Sequence, residues 1–316
     1  MAYDCIVCVK QVPDTANITA EAMKEDGTVN RGALPTIFNP EDLHALETAL
    51  EVRDQYGGTV TVVTMGPPKA ADVLRDSLFR GADRAILLTD RRAAASDTLA
   101  TSYILAQAVK TIGRYDFVFC GRQAIDGDTA QVGPQCAEKL GIPQITYLEE
   151  LVSVNDRVVR IRRSIGHGWE IVEARLPVLV TVVETANRPR PLAAKRVMRM
   201  KRARVYAEVA AEVKAAMPDA TAMPKGNAMP KGNDEQLAAE TNRRVESLKA
   251  CGLLIEQWNL DNIHADLMRC GLAGSPTKVH RVQAIVLTKE GFTEVPPTQA
   301  GIGKMVHELV VDRTWG

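Results

Sequence analysis

The sequence predicts an α/β protein: a doubly wound, mostly parallel sheet with a β-hairpin extension and a long C-terminal arm. Three observations carry that prediction. Short apolar runs alternate with amphipathic helical stretches over residues 1–147, the pattern of parallel strands joined by helices that cover both faces of a sheet. A two-strand run then turns at Asn155 and Asp156, as a hairpin does. Beyond residue 204 the periodicity weakens and Pro- and Gly-containing chain appears.

The elements follow in chain order. "DCIVCVK" is a short apolar run ended by Gln11 and Pro13, as a buried strand is. In "NPEDLHALETALEVRDQYG", Asn39 stands at the cap, Pro40 at the first helical position, and Leu43, Leu46 and Leu50 share one face, with Gly57 and Gly58 as the stop. "TVTVVTMG" is a strand, "AADVLRDSLFRGA" a helix, "RAILLT" a strand, "SDTLATSYILAQAVKTIG" a helix and "DFVFCG" a strand; a helix is expected from about Thr129 in "TAQVGPQCAEKLG". "LEELVSVNDRVVRIRR" and "WEIVEARL" form the hairpin extension, and "PVLVTVVE" returns to the sheet. A cationic run from Arg188 to Arg204 contains no acid. The hexapeptide AMPKGN occurs twice, at 222–227 and 228–233, and reads as a linker; a helix is expected through "DEQLAAETNRRVESLKACGLLIEQW", then a mostly irregular tail from Asn259.

The 316 residues, 46% hydrophobic and 25% charged, describe an ordinary globule, expected in the cytoplasm, with no apolar run of membrane-spanning length. Zero formal net charge removes the bulk electrostatic case for nucleic acid. Six cysteines show no metal-ligand clustering, and Cys5 and Cys8, three apart in a strand, point to opposite faces. No metal site is expected. His167 stands in a turn, the other histidines are isolated, and neither Ser164 nor Ser275 has an activating context, so no catalytic residue is assigned.

In a parallel sheet ligands bind beyond the carboxyl ends of strands, and three such ends stand out: "KQVPD", "MGPP" and "GRQAIDGDT". The last empties a strand into a helix through a Gly-containing loop, which offers free backbone N–H groups and a helix dipole to a phosphate. Arg122 is expected to add a bidentate phosphate contact. Asp126 and Asp128 are expected to face elsewhere, as helix caps or towards ribose hydroxyls. Neither G-x-G-x-x-G nor a Walker loop is present.

In order and spacing, "CVKQVPD", "NPEDLHALE", "MGPP", "GADRA", "CGRQAIDGDTAQVGP", "LPVLVTV" and "NRPRP", followed by Met198 and later by "GLAGSPTKV" at 271–279, resemble the β subunit of electron transfer flavoproteins. The resemblance implies an adenine-nucleotide α-hydrolase-like form of the doubly wound fold and pairing with an FAD-holding α subunit. It implies nucleotide contacts from Cys8, Val9 and Lys10, from Asn39, Pro40, Glu41 and Asp42, from Met65 and Gly66, and from Gly121, Arg122, Gln123, Ala124, Ile125, Asp126, Gly127, Asp128, Thr129, Ala130, Gln131, Val132 and Gly133. Small residues at Gly127, Ala130 and Val132 make "DGDTAQVGP" similar to the electron-bifurcating branch, where a second FAD replaces AMP and NAD(H) docks transiently. Hydride from NADH is then divided between the α-subunit FAD, leading to an acyl-CoA dehydrogenase-type flavoenzyme, and a low-potential acceptor such as ferredoxin. The alternatives are a non-bifurcating β subunit with structural AMP, and a regulatory nucleotide-binding module of the universal-stress-protein type.

Three parts are expected: 1–204, the nucleotide-binding domain with its hairpin and a basic partner-docking segment; 205–258, an insertion; and 259–316, an arm packing on the α subunit. Departures from the family pattern are Gly166, His167 and Gly168 where Asp-Gly-Gly is usual, Ala194 where an aliphatic is usual, and Arg199 and Arg202 in place of lysines. Residues 205–270 have no family counterpart in this reading.

Overall fold

The computed structural model describes residues 1–14, 35–217, 231–277 and 294–311. Eleven strands and eight α-helices run in the order β1 (Cys5–Cys8), β2 (Gln11–Pro13), β3 (Thr36–Phe38), α1 (Pro40–Tyr56), β4 (Val60–Met65), α2 (Ala71–Arg80), β5 (Arg84–Leu88), α3 (Thr98–Ile112), β6 (Phe117–Gly121), α4 (Val132–Leu140), β7 (Gln144–Asn155), β8 (Val158–Ser164), β9 (Trp169–Arg175), β10 (Val178–Val182), α5 (Ala194–Met200), α6 (Tyr206–Ala216), α7 (Lys231–Ala250), β11 (Glu256–Trp258) and α8 (Gln299–Val311), counted among the described residues.

Nine strands form one sheet in the order β11-β5-β4-β1-β6-β10-β7-β8-β9. Pairing is parallel from β11 to β7 and antiparallel through β8 and β9. Strand β1 lies between β4 and β6, in register from Cys5 to Cys8 with both. The chain winds outward from β1 through β4 to β5, then crosses by α3 to β6 on the other side. That reversal opens a crevice at the carboxyl ends of β1 and β6.

Alternation along each strand builds two cores. Val7, Val62, Leu87, Phe119 and Val180 face Leu46 and Leu50 of α1 and Leu74 of α2. Ile6, Val63, Ile86, Val118 and Leu179 face Ile104 and Val109 of α3 and Ala137 of α4. Each fully buried aliphatic or aromatic side chain contributes about 1.5–3 kcal/mol. Cys5 joins the first core and Cys8 the second, so the C-x-x-C pair is divided by the sheet as expected.

Several elements differ from the sequence reading. Helix α4 begins at Val132, after a loop, and not at Thr129. Strand β7 begins at Gln144, earlier than the hairpin was placed, and β2 and β3 form a separate antiparallel pair. The stretch "IEQW" leaves α7 and becomes β11, in parallel pairing with β5. Helix α6 lies in the expected insertion, and α8 lies in the tail, where mostly irregular chain is expected. Most of the duplicated hexapeptide lies outside the described residues, but its last three positions, 231–233, fall in α7.

Strand β11 is fastened by charge. Arg84 pairs with Glu256 through Nε–Oε1 at 2.5 Å and Nη2–Oε2 at 2.8 Å, and its guanidinium lies over Trp258. Just beyond, Asp90 accepts from the Leu260 amide at 3.2 Å and from Arg92 Nη2 at 2.7 Å. The Arg92 hydrogen bond is the largest cause that holds Asp90 down, at about 2. A carboxyl depressed in the folded state stabilises above its unfolded pKa of about 4 and loses that contribution as pH falls through about 2. Hydrogen exchange at the Leu260 amide should therefore accelerate, relative to its intrinsic rate, between pH 4 and 2 in the wild type, with no such step in Asp90→Asn.

Candidate functional site

The three strand ends singled out in the sequence belong to β1, β4 and β6, neighbours in the sheet, so their loops meet at one edge. Helix α1 starts at that same edge, with Pro40 as its first residue. Asn39 takes the cap position as expected, but its side chain makes no cap hydrogen bond. It crosses to the β6–α4 loop, where Nδ2 donates to Gln123 O at 2.8 Å and Oδ1 accepts from Ile125 N at 3.1 Å.

The next acids do the same from the first turn of α1. Glu41 Oε2 accepts from Gln123 N at 2.7 Å and its Oε1 from Arg122 Nη2 at 2.6 Å. Asp42 Oδ1 accepts from Gly121 N at 3.0 Å and Oδ2 from Lys10 N at 2.8 Å. Three buried side chains thus hold the amides of Gly121, Gln123 and Ile125, every second residue of the chain leaving β6. Burial pushes Asp42 up to about 7, against the lowering effect of Asn39 and of the Lys10 and Gly121 amides. Gly121 leaves no alternative to glycine, since a Cβ there would lie 2.5 Å from Asp42 Oδ1 and 2.7 Å from the Glu41 carbonyl carbon.

This corrects the expected division of labour. The amides of Arg122, Gln123 and Ile125 are already taken, by Val182 O, Glu41 and Asn39, so the continuous run of free donors lies further along. Arg122 is turned to Glu41 instead of standing free for a bidentate phosphate contact, although its Nε is buried without a partner among the described residues. Asp126 pairs with Lys10 Nζ at 2.7 and 2.9 Å, and Asp128 accepts from Gln123 Nε2 at 3.0 Å. Neither aspartate caps α4, whose cap position is Gln131.

The open part of the loop is 127–133. The amides of Thr129, Ala130, Gln131, Val132 and Gly133 have no acceptor among the described residues, and they lead into the N-terminus of α4. Asp128 at φ +47° and Ala130 at φ +52° adopt the left-handed conformation without being glycine. That conformation costs non-glycine residues of order 1–3 kcal/mol each, and alternating it with right-handed residues turns successive N–H groups into an anion-binding concavity. A Cβ on Gly127 would meet nothing within 4 Å, whereas one on Gly133 would lie 2.8 Å from Thr181 Cγ2, so Gly127 faces open space and Gly133 packs the helix on the sheet.

The remaining predicted residues divide likewise. Val9 is buried and bonds Val63 O through its amide at 2.9 Å; Gly66 bonds Leu88 O at 3.0 Å, and Met65 and Ala124 stay half-buried at the edge. Cys8 and Cys120, paired across β1 and β6, and Cys136 on α4 share one apolar pocket. Hydrogen bonding with Cys8 and then burial raise the Cys120 thiol, and burial raises Cys136, which keeps both protonated. Among the described residues no group of His, Cys, Asp and Glu could hold a metal, and no helix is long and apolar enough to cross a membrane. His44 Nδ1 lies 3.1 Å from Asn187 O, fixing α1 to the chain after β10, and His167 is exposed in the β8–β9 turn. The second familiar stretch packs elsewhere, at the start of α3, where Ser275 Oγ accepts from Asp97 N at 2.8 Å and Thr277 Oγ1 donates to Asp97 at 2.7 Å; Lys278 and Val279 lie outside the described residues.

Sequence comparison adds identity to this geometry. The model of the electron transfer flavoprotein domain matches residues 26–213. The electron transfer flavoprotein subunit beta of Clostridium acetobutylicum is 44% identical over 304 residues, 96% of each chain, an alignment that must include most of 205–270 and so overturns the expectation that this region has no counterpart. Protein FixA of Rhizobium meliloti is 47% identical over 312 residues, 96% of this chain and 89% of its own. The caffeyl-CoA reductase-Etf complex subunit CarD of Acetobacterium woodii is 46% identical over 186 residues, 58% of this chain and 70% of its own. With the family model covering more than half the chain and a relative aligned almost end to end, the chain belongs to the electron transfer flavoprotein family, among its β subunits.

Proposed function

We propose that this β subunit pairs with an FAD-holding α subunit in the cytoplasm and holds a second FAD, in preference to AMP, in the crevice at the carboxyl ends of β1 and β6. The observation that carries the reading is the run of acceptor-free amides from Thr129 to Gly133, in a strained loop beside the topological switch point. The residues fit a dinucleotide: five free donors and a helix N-terminus suit a diphosphate, and the unhindered space at Gly127 leaves room beyond it. When bound, FAD supplies the chemistry of accepting hydride from NADH and delivering electrons to the α-subunit FAD, towards an acyl-CoA dehydrogenase-type flavoenzyme, and to a low-potential acceptor such as ferredoxin.

The chain's own residues bind, orient and tune. The amides of Thr129–Gly133 receive the phosphates, while Glu41 and Asp42 fix the preceding turn so that no ordering cost falls on the ligand. Lys10 sits at the mouth of the crevice, its charge offset by Asp126. The name of the Acetobacterium relative, a subunit of a complex with a caffeyl-CoA reductase, supports a partner that acts on acyl-CoA thioesters. The segment 188–204, with Arg188, Arg199 and Arg202, is assigned to partner docking, and 259–316 to contact with the α subunit. The region 205–258, with α6, α7 and β11, extends the edge of the domain formed by 1–204.

The test is a cofactor count on the co-expressed αβ pair, followed by anaerobic NADH addition. Two flavins per pair and bleaching of the visible flavin band are expected. One flavin plus one AMP, with a spectrum indifferent to NADH, would replace this reading by the AMP-holding form.

A further inference from the structure

Asp42 stands apart from the other residues of the crevice because it faces backbone on both sides. Its two oxygens accept from the amide that leaves β1, Lys10 N, and from the amide that ends β6, Gly121 N, at 2.8 and 3.0 Å. These are the two strands that flank the switch point, and Asp42 is the one buried side chain among the described residues that bridges their ends in this way. No Cβ separates it from β6, because residue 121 is glycine. Gly121 is also where the chain departs for the open donors of Thr129–Gly133.

We infer that Asp42 is a positioning residue, not a nucleotide contact: its ionised carboxylate holds the ends of β1 and β6 at the spacing that the loop needs, and its protonation loosens the bound nucleotide. The inference rests on the nucleotide reading proposed above. A carboxylate accepts both amides at once. A neutral carboxylic acid keeps one good acceptor and must place an O–H among donors, so one strand end is released.

The ionisable groups around it are few. Lys10 lies at the end of β1 with its ammonium turned to Asp126; Cys120 and Arg122 lie at the end of β6, with Arg122 held by Glu41; Glu41 itself adjoins on α1. Lys10 is the cation whose charge favours ionised Asp42, and burial outweighs it, which brings the carboxyl up to about 7. The loosening therefore falls near neutral pH.

The sign of the effect separates positioning from bulk stability. A carboxyl raised in the folded state binds its proton more readily there than in the unfolded chain, so its contribution to fold stability improves as pH falls from about 7 towards 4. Nucleotide retention should move the opposite way.

The experiment uses the αβ pair, wild type and Asp42→Asn, stripped and titrated with AMP and with FAD from pH 8 to 5.5, with a thermal melt at each pH. An amide presents one acceptor and one donor to two N–H groups and does not titrate, so Asp42→Asn is expected to bind about 10-fold more weakly at pH 8 and with no pH dependence. Wild-type affinity should fall about 10-fold from pH 8 to 6, while its melting temperature rises relative to that of the variant. Asp42→Ser, with a non-titrating hydroxyl, serves if the asparagine variant does not fold. A wild-type affinity that is flat across the range, or a variant that keeps the wild-type slope, overturns the inference and leaves the nucleotide reading intact. A wild-type pair that binds neither AMP nor FAD at any pH removes both.

Discussion

Gly121→Ala is expected to cost about 3 kcal/mol of stability and to abolish nucleotide retention, because the added methyl group has nowhere to go. The atoms in its way are the Asp42 carboxylate at 2.5 Å, the Glu41 carbonyl carbon at 2.7 Å and the Asp42 amide nitrogen at 2.8 Å. Two of the three are backbone in the first turn of α1, which is pinned behind by Leu46 and Leu50 in the core. Relief must come from β6, whose last residue then moves away from Asp42 and carries the whole loop with it. Denaturant unfolding of the αβ pair together with cofactor content measures both effects. Adding Asp42→Ser should recover a minor part of the stability, since it removes the carboxylate but leaves the backbone contact. Full recovery, or a Gly121→Ala variant of wild-type stability, would show that the close approach of α1 to β6 is not a constraint.

Glu41→Ala is the second large effect. Removing a partner from a buried ion pair costs about 3–5 kcal/mol, because the remaining charge is left desolvated. Here the remaining charge is Arg122, whose side chain is 38% exposed, so water recovers part of the loss and about 2–3 kcal/mol is expected. The same change leaves the Gln123 amide without an acceptor. Glu41→Gln keeps one good acceptor and should lose roughly half as much. A fall in melting temperature of roughly 2–4 °C per kcal/mol makes the two variants separable by calorimetry. Freed from Glu41, Arg122 becomes available to an anion, so the alanine variant should bind inorganic phosphate more tightly than the wild type even as its stability falls.

The parallel sheet was legible because each strand is a buried apolar run bounded by a turn signal, and the crevice was legible because winding order alone makes β4, β1 and β6 neighbours. Where α4 starts was not. Asp128 and Ala130 adopt left-handed backbone without glycine, and for alanine no propensity anticipates that, so the helix pattern of the sequence reads straight through a stretch that is loop. Nor could the sequence name the partners of Asn39, Glu41 and Asp42 that lie some eighty residues away, at the end of β6 and in the loop that follows it. A polar triplet at the start of a helix reads identically whether it faces a ligand or a neighbouring strand. Strand β11 has only three residues, and α8 carries two glycines that lower helix propensity, so neither gave a strong periodic signal.

The slot of β10 between β6 and β7 has a consequence for how the protein is made. On the ribosome, β6 emerges with one edge unpaired, and its permanent neighbour follows roughly sixty residues later, after the whole hairpin has been synthesised. At roughly 5–20 residues per second that interval is on the order of 3–12 s, during which the middle of the nascent sheet presents bare, aggregation-prone β-edge to any chaperone or neighbouring chain.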